Sequence, residues 1–127
     1  MGEKRDSNAR RVLVADDDPA IIRMVRRVLQ NDYTIIEAGD GVVAVKMAHQ
    51  TKPDIILMDM MMPEMDGLTA CAELKKDEKT RSIPIVMLTG VGFDLNEKLA
   101  NSLGADGYVV KPFKPVELTE TIARLLA

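Results

Sequence analysis

Residues 55–67 read I-I-L-M-D-M-M-M-P-E-M-D-G, and Ile55 to Met58 form an unbroken apolar run that ends in the carboxylate of Asp59. A short apolar run without polar alternation suits a strand covered on both faces, the pattern of a parallel sheet. Four more segments share this character. Arg11 to Asp16, Tyr33 to Glu37, Pro84 to Thr89 and Asp106 to Lys111 are enriched in Val, Ile, Leu and Met, as is Asp54 to Asp59.

Between these predicted strands, apolar residues recur at helical spacing. Ile21, Ile22, Val25, Val28 and Leu29 share one face, as do Val42, Val45 and Ala48, and then Leu68, Cys71 and Leu74. Leu95, Leu99 and Leu103 continue the series, and Leu118, Ile122 and Leu125 close it. Asp18-Pro19 fits an N-cap followed by proline at the first helical position, Asp94 and Glu97 have capping-box spacing, and Pro115 can open the last helix. Five strand–helix repeats without an internal sequence repeat predict an α/β fold. Right-handed crossovers place helices on both faces, which gives a three-layer, doubly wound, five-stranded parallel sheet.

The 127 residues suffice for one domain with a two-sided core and leave no room for a second, effector domain. Residues 1–10, with Lys4, Arg5 and Arg10, read as a flexible N-terminal arm, and residues 11–127 as the domain. Two Phe, two Tyr and no Trp require an aliphatic core. A net charge of -3 argues against nonspecific attraction to nucleic acid or a membrane surface. No apolar run reaches bilayer length and the polar N-terminus lacks a signal-peptide core, so a cytoplasmic location is expected. Cys71 is the sole cysteine, which excludes an intrachain disulfide and a thiolate zinc cluster.

Three of the strands end in chemistry. V-L-V-A at 12–15 runs into Asp16, Asp17 and Asp18, the central run ends at Asp59, and V-V at 109–110 runs into Lys111. Carboxylates and an ammonium at the carboxyl ends of separate parallel strands can converge on one site for a divalent cation and a phosphoryl group. Magnesium prefers oxygen ligands and lowers the repulsion between like charges. Asp59 can then attack phosphorus, with Lys111 stabilising charge on the phosphoryl oxygens. Thr89 ends I-V-M-L-T beside Gly90, where its hydroxyl can approach the same oxygens. Each residue also has a plainer reading: the triplet as a solvated helix cap, Asp59 as an exposed strand end, Thr89 as a turn residue, Lys111 as a surface charge. Their shared place at strand ends favours a phosphorylatable switch.

The order and spacing of these residues across 11–127 closely resemble the receiver domain of bacterial two-component response regulators, in the form of a stand-alone chemotaxis regulator. The resemblance implies a flavodoxin-like sheet of order 2-1-3-4-5. It implies a phosphorelay in which a sensor histidine kinase or a histidine phosphotransfer protein passes phosphate to Asp59, with Mg2+ as cofactor. Asp16 and Asp17 match the family's acidic pair, Thr89 its hydroxyl and Lys111 its invariant lysine; Met61 matches the residue whose backbone carbonyl completes the metal ligands. Asp18 is not expected to bind the metal directly. Met62-Pro63 and Asp66-Gly67 match the turn after the phosphoacceptor, and Lys111-Pro112 the family's cis peptide. Tyr108 matches the aromatic switch position, which packs inward as Thr89 moves towards phosphate. The surface so changed comprises the fourth helix, fifth strand and fifth helix, around Asp94 to Leu103 and Val116 to Leu126.

The implied partners are the phosphodonor, a downstream protein target and a second copy in a phosphorylation-dependent homodimer; neither direct nucleic-acid binding nor membrane association is expected. No enzymatic activity is implied beyond magnesium-dependent self-phosphorylation and autodephosphorylation. Gly90-Val91-Gly92-Phe93 departs from the family's usual loop, and the bulk of Met61 and Val91 is expected to limit attacking water. Two alternatives remain. A metal-dependent phosphohydrolase with an aspartyl intermediate would need a positioned acid or base and a substrate pocket, and a phosphate-independent scaffold would need neither. His49 reads as a helix-end or surface residue, and the scattered glycines form no nucleotide cradle, so ATP is not the expected donor. A receiver excised from a longer protein would read the same.

Overall fold

The computed structural model describes residues 9–90, 98 and 101–127. Five strands alternate with helices: β1 (Arg11–Ala15), α1 (Pro19–Leu29), β2 (Thr34–Ala38), α2 (Gly41–Thr51), β3 (Ile55–Asp59), α3 (Gly67–Lys76), β4 (Ile85–Thr89), β5 (Gly107–Val110) and α4 (Pro115–Leu126). The helix expected around Leu95, Leu99 and Leu103 lies largely outside the described residues, as do the Asp94–Glu97 capping box, the loop residues Val91 to Phe93 and residues 1–8 of the expected arm.

The sheet is parallel throughout, in the order β2-β1-β3-β4-β5. Alternate side chains of each strand enter opposite cores. Leu13, Ile56, Met58, Ile85 and Met87 face one side with Ala44, Ala48, Ala70, Cys71 and Leu74 of α2 and α3. Val12, Val14, Ile55, Leu57, Val86 and Leu88 face the other with Val25 and Leu29 of α1 and Leu118 and Ile122 of α4. Burial on both faces explains why the strands lack polar alternation.

Local chemistry sets the helix ends. Asp18 caps α1 by accepting from the Ala20 N–H at 2.9 Å, with Pro19 as the first helical residue. Asp40 caps α2 and Asp66 caps α3, accepting from the N–H groups of Val43 and Thr69 at 2.8 and 2.7 Å. On α4, the Glu117 carboxylate accepts from the Lys114 N–H at 2.7 Å, just before Pro115.

One predicted face shifts. Val42 was grouped with Val45 and Ala48, yet Val42 is 50% exposed and the buried stripe of α2 is Gly41, Ala44 and Ala48. Close approach is the reason: a Cβ on Gly41 would stand 2.0 Å from the Met65 carbonyl oxygen. The smallest residues, and not the largest apolar ones, therefore set the phase of this helix.

Candidate functional site

The chain winds from β1 outward to β2, then returns across β1 to β3. Such a reversal leaves a crevice at the carboxyl ends of the two strands it separates, because their following loops turn away from each other. Asp16 immediately follows β1 and Asp59 is the last residue of β3. Both side chains are buried in this crevice, while Asp17 beside them is exposed.

Lys111 follows β5 and reaches back over β4. Its Nζ donates to Asp16 Oδ2 at 2.8 Å and to Asp59 Oδ1 at 3.1 Å. The Lys111 N–H donates to the Thr89 carbonyl at 2.6 Å, which ties its backbone to the end of β4; the Lys111-Pro112 peptide is cis, as the family resemblance implies. Thr89 closes β4, and its Oγ1 is buried without a hydrogen-bond partner among the described residues. A buried hydroxyl normally finds a partner, so this one marks a place for an acceptor.

Electrostatics follow from this crowding. Burial and the neighbouring Asp16 charge raise the Asp59 pKa above its ordinary range, against the lowering pull of the Lys111 ammonium and the Met61 N–H. Burial alone would lower the Lys111 pKa, but its bonds to Asp16 and Asp59 outweigh that and raise it. Three carboxylates face one ammonium, a local excess of negative charge.

The carboxylates fit a hard cation. One oxygen from each of Asp16, Asp17 and Asp59 lies within 4.8 Å of the others. Carboxylate oxygens gathered this closely would suit a hard divalent cation such as Mg2+, which takes oxygen ligands. Asp18, not expected to bind the metal directly, spends its side chain on the α1 cap.

The loop after Asp59 is folded tightly against the site. The Gly67 N–H donates to the Met60 carbonyl at 2.9 Å, and a Cβ on Gly67 would stand 1.9 Å from the Asp59 carbonyl oxygen. Neither this approach nor that of Gly41 was foreseen from sequence. The signal available was Asp66-Gly67, read only as a turn. Tyr108 on β5 is partly exposed, and His49, half-buried near the end of α2, stands 3.4 Å from Asp77, remote from this cluster in the chain. No helix among the described residues is long and apolar enough to cross a membrane.

The family model described as the response regulator receiver domain matches residues 12–123. The DNA-binding dual master transcriptional regulator RpaA of Synechocystis sp. is 40% identical over 118 residues, covering 91% of this chain and 48% of the relative. The chain spans about half the length of the first curated relatives it matches. Among solved structures, the chemotaxis response regulator CheY4 of Vibrio cholerae superposes with a TM-score of 0.88 at 32% identity, over 94% of this chain and all of the other. The receiver domain of a sensor histidine kinase from Pseudomonas aeruginosa, with magnesium coordinated in its active site cleft, gives a TM-score of 0.86 at 29% identity, over 93% and 98% of the two chains. These comparisons give no support to a phosphohydrolase or a scaffold. Sheet order, strand-end residues and sequence agree: this chain belongs to the response regulator receiver family, the phosphoacceptor domains of two-component systems.

Proposed function

We propose that Asp59 is the phosphoacceptor and that a phosphohistidine of a sensor kinase or histidine phosphotransfer protein is the donor. The observation that carries this is the Lys111 bridge beside the Thr89 hydroxyl, unpartnered among the described residues: two donors aimed where new anionic oxygens would arrive. An Asp59 carboxylate oxygen attacks phosphorus, the phosphorus–nitrogen bond breaks and the imidazole leaves. Lys111 holds Asp59 Oδ1 and orients the carboxylate for attack. Thr89 donates to a phosphoryl oxygen once that oxygen is present. Asp16, Asp17, Asp59 and the Met61 carbonyl would hold Mg2+, which supplies positive charge against the phosphoryl oxygens and the crowded carboxylates.

The signal leaves through β5 and α4. As Thr89 is drawn towards phosphate, Tyr108 packs inward and changes a surface that exposes Val110 and Val116. That surface, with the segment around residues 94–103, engages a downstream protein or a second copy of the chain. The setting is the cytoplasm, with an arm at residues 1–10 ahead of the receiver at 11–127, and without direct contact to nucleic acid or membrane.

Intact-mass measurement after incubation with a small-molecule phosphodonor tests the reading. One magnesium-dependent phosphoryl adduct on wild type, absent in Asp59→Asn, is expected. A folded wild type that takes no adduct, or an adduct retained by Asp59→Asn, would overturn it.

A further inference from the structure

The loop after Asp59 carries Met60, Met61 and Met62 in succession, and the backbone sends them to different environments. Met60 and Met62 are 6% and 9% exposed and join the core under α2 and α3. Met61, between them, is turned outward and is 78% exposed. Met58 and Met87 are fully buried, and Met24, Met47 and Met65 are partly covered. Among the described residues, Met61 thus presents by far the most accessible thioether. Its own N–H bonds the Asp59 carboxylate, so the backbone that carries this side chain lies beside the phosphoacceptor.

We propose that Met61 is an oxidation site through which a peroxide shortens the life of the phosphorylated state. This rests on the reading of Asp59 as phosphoacceptor. A sulfur lone pair attacks one oxygen of hydrogen peroxide; the oxygen–oxygen bond breaks, a sulfur–oxygen bond forms, and the second oxygen leaves as water after proton transfer. Sulfur loses two electrons and the peroxide gains them. Accessibility selects among methionines in this reaction, since the peroxide must reach the sulfur. The product exchanges an apolar, weakly accepting thioether for a strongly polar sulfoxide. At the mouth of the site, the thioether leaves water without a partner. The sulfoxide oxygen accepts from water and holds it beside the acyl phosphate, where attack on phosphorus releases the phosphoryl group.

Limited peroxide treatment of the full chain, followed by peptide mapping, identifies the first residue to gain oxygen, and mass spectrometry then follows decay of the phosphoryl adduct. The expected result is first oxidation at Met61, ahead of every other methionine including Met1, and an adduct half-life shortened by at least about threefold. Methionine sulfoxide reductase restores the original half-life, and in Met61→Leu peroxide leaves the half-life at that variant's own untreated value. First oxidation elsewhere, or a Met61-oxidised protein that decays at the untreated rate, overturns the proposal with the receiver reading intact. An untreated protein that never forms the adduct overturns the receiver reading, and this inference with it.

Discussion

Replacing Gly67 with alanine tests whether the backbone of α3 sets the position of the phosphoacceptor. The added Cβ would stand 1.9 Å from the Asp59 carbonyl oxygen, and Asp59 is the last residue of a central strand with neighbours on both sides. Carbon and oxygen without a covalent bond settle at about 3.3 Å, so roughly 1.4 Å of displacement is demanded. No flexible side chain can give way, because the obstacle is backbone. Overpacking usually costs about 1–3 kcal/mol, and a rigid obstacle puts this substitution near the upper end, about 3 kcal/mol. With a urea m-value of about 1.5 kcal/mol/M, the unfolding midpoint falls by about 2 M. A displacement of this size at a reacting group also slows phosphoryl adduct formation by about 100-fold in the protein that remains folded. Gly39→Ala is the control: a Cβ there meets nothing within 4 Å, so stability stays within about 0.5 kcal/mol of wild type. A Gly67→Ala midpoint within about 0.5 M of wild type, with wild-type phosphorylation, would refute the close-approach argument.

Four further substitutions or probes read other parts of the molecule. Thr89→Val removes a buried hydroxyl that has no partner among the described residues, so it raises stability by about 1 kcal/mol in urea unfolding while slowing phosphorylation; a loss of stability instead would show that the hydroxyl is satisfied. Lys111→Met leaves Asp16 and Asp59 facing each other and costs about 2–3 kcal/mol at neutral pH. Because the folded Lys111 pKa lies above its ordinary 10.5, this advantage of wild type is complete below pH 10.5 and fades as pH rises through the folded value. Paired unfolding curves that keep a constant gap through that alkaline range would contradict it. Asp59 acts at the other end: its raised pKa makes the fold lose stability as pH climbs from 3.8 through the folded value, and Asp59→Asn should flatten that limb. Burial pushes the Cys71 thiol up to about 11, so a disulfide reagent should label it at least about 100-fold more slowly in the native protein than in urea. Equal rates would mean that α3 opens freely.

Much of this architecture can be read from sequence because parallel strands buried on both faces show themselves as solid apolar runs. Runs such as Ile55 to Met58 and Ile85 to Leu88 leave few alternatives, and Asp16, Asp59, Thr89 and Lys111 become visible because each stands where such a run stops. Contacts made by backbone are different. Nothing in the local sequence says that Gly67 touches Asp59 or that Gly41 touches Met65, since each depends on how a helix settles against a loop. Val42 misled for the same reason: apolar periodicity favours the larger residue, while the packing distance favoured Gly41 and Ala44. Nothing in the sequence distinguishes Lys75 from any other helix lysine. Its Nζ in fact donates to the carbonyls of Arg81 and Ile83 and to Asp106 at 3.1, 2.8 and 2.9 Å, tying α3 to the segments before β4 and β5.

The resting site holds costs that the proposed phosphorylated state would relieve, and their sizes limit how the switch can work. Moving a two-state equilibrium from about 1:99 to 99:1 takes about 5.5 kcal/mol of differential interaction. A hydrogen bond to a charged acceptor contributes about 1.5–3 kcal/mol, and Thr89 would gain one in full because its hydroxyl has no partner to give up among the described residues. Lys111 gains less, since its ammonium already bonds Asp16 and Asp59 and must share or surrender those contacts to meet a phosphoryl oxygen. At the middle of that range Thr89 and Lys111 together fall short of a complete shift. The remainder has to come from elements that move with them, and β5 is the one tied to Thr89 directly, through the Lys111 N–H on the Thr89 carbonyl. A switch built this way is graded: loss of the Thr89 hydroxyl weakens the response without abolishing the ability of Asp59 to accept phosphate.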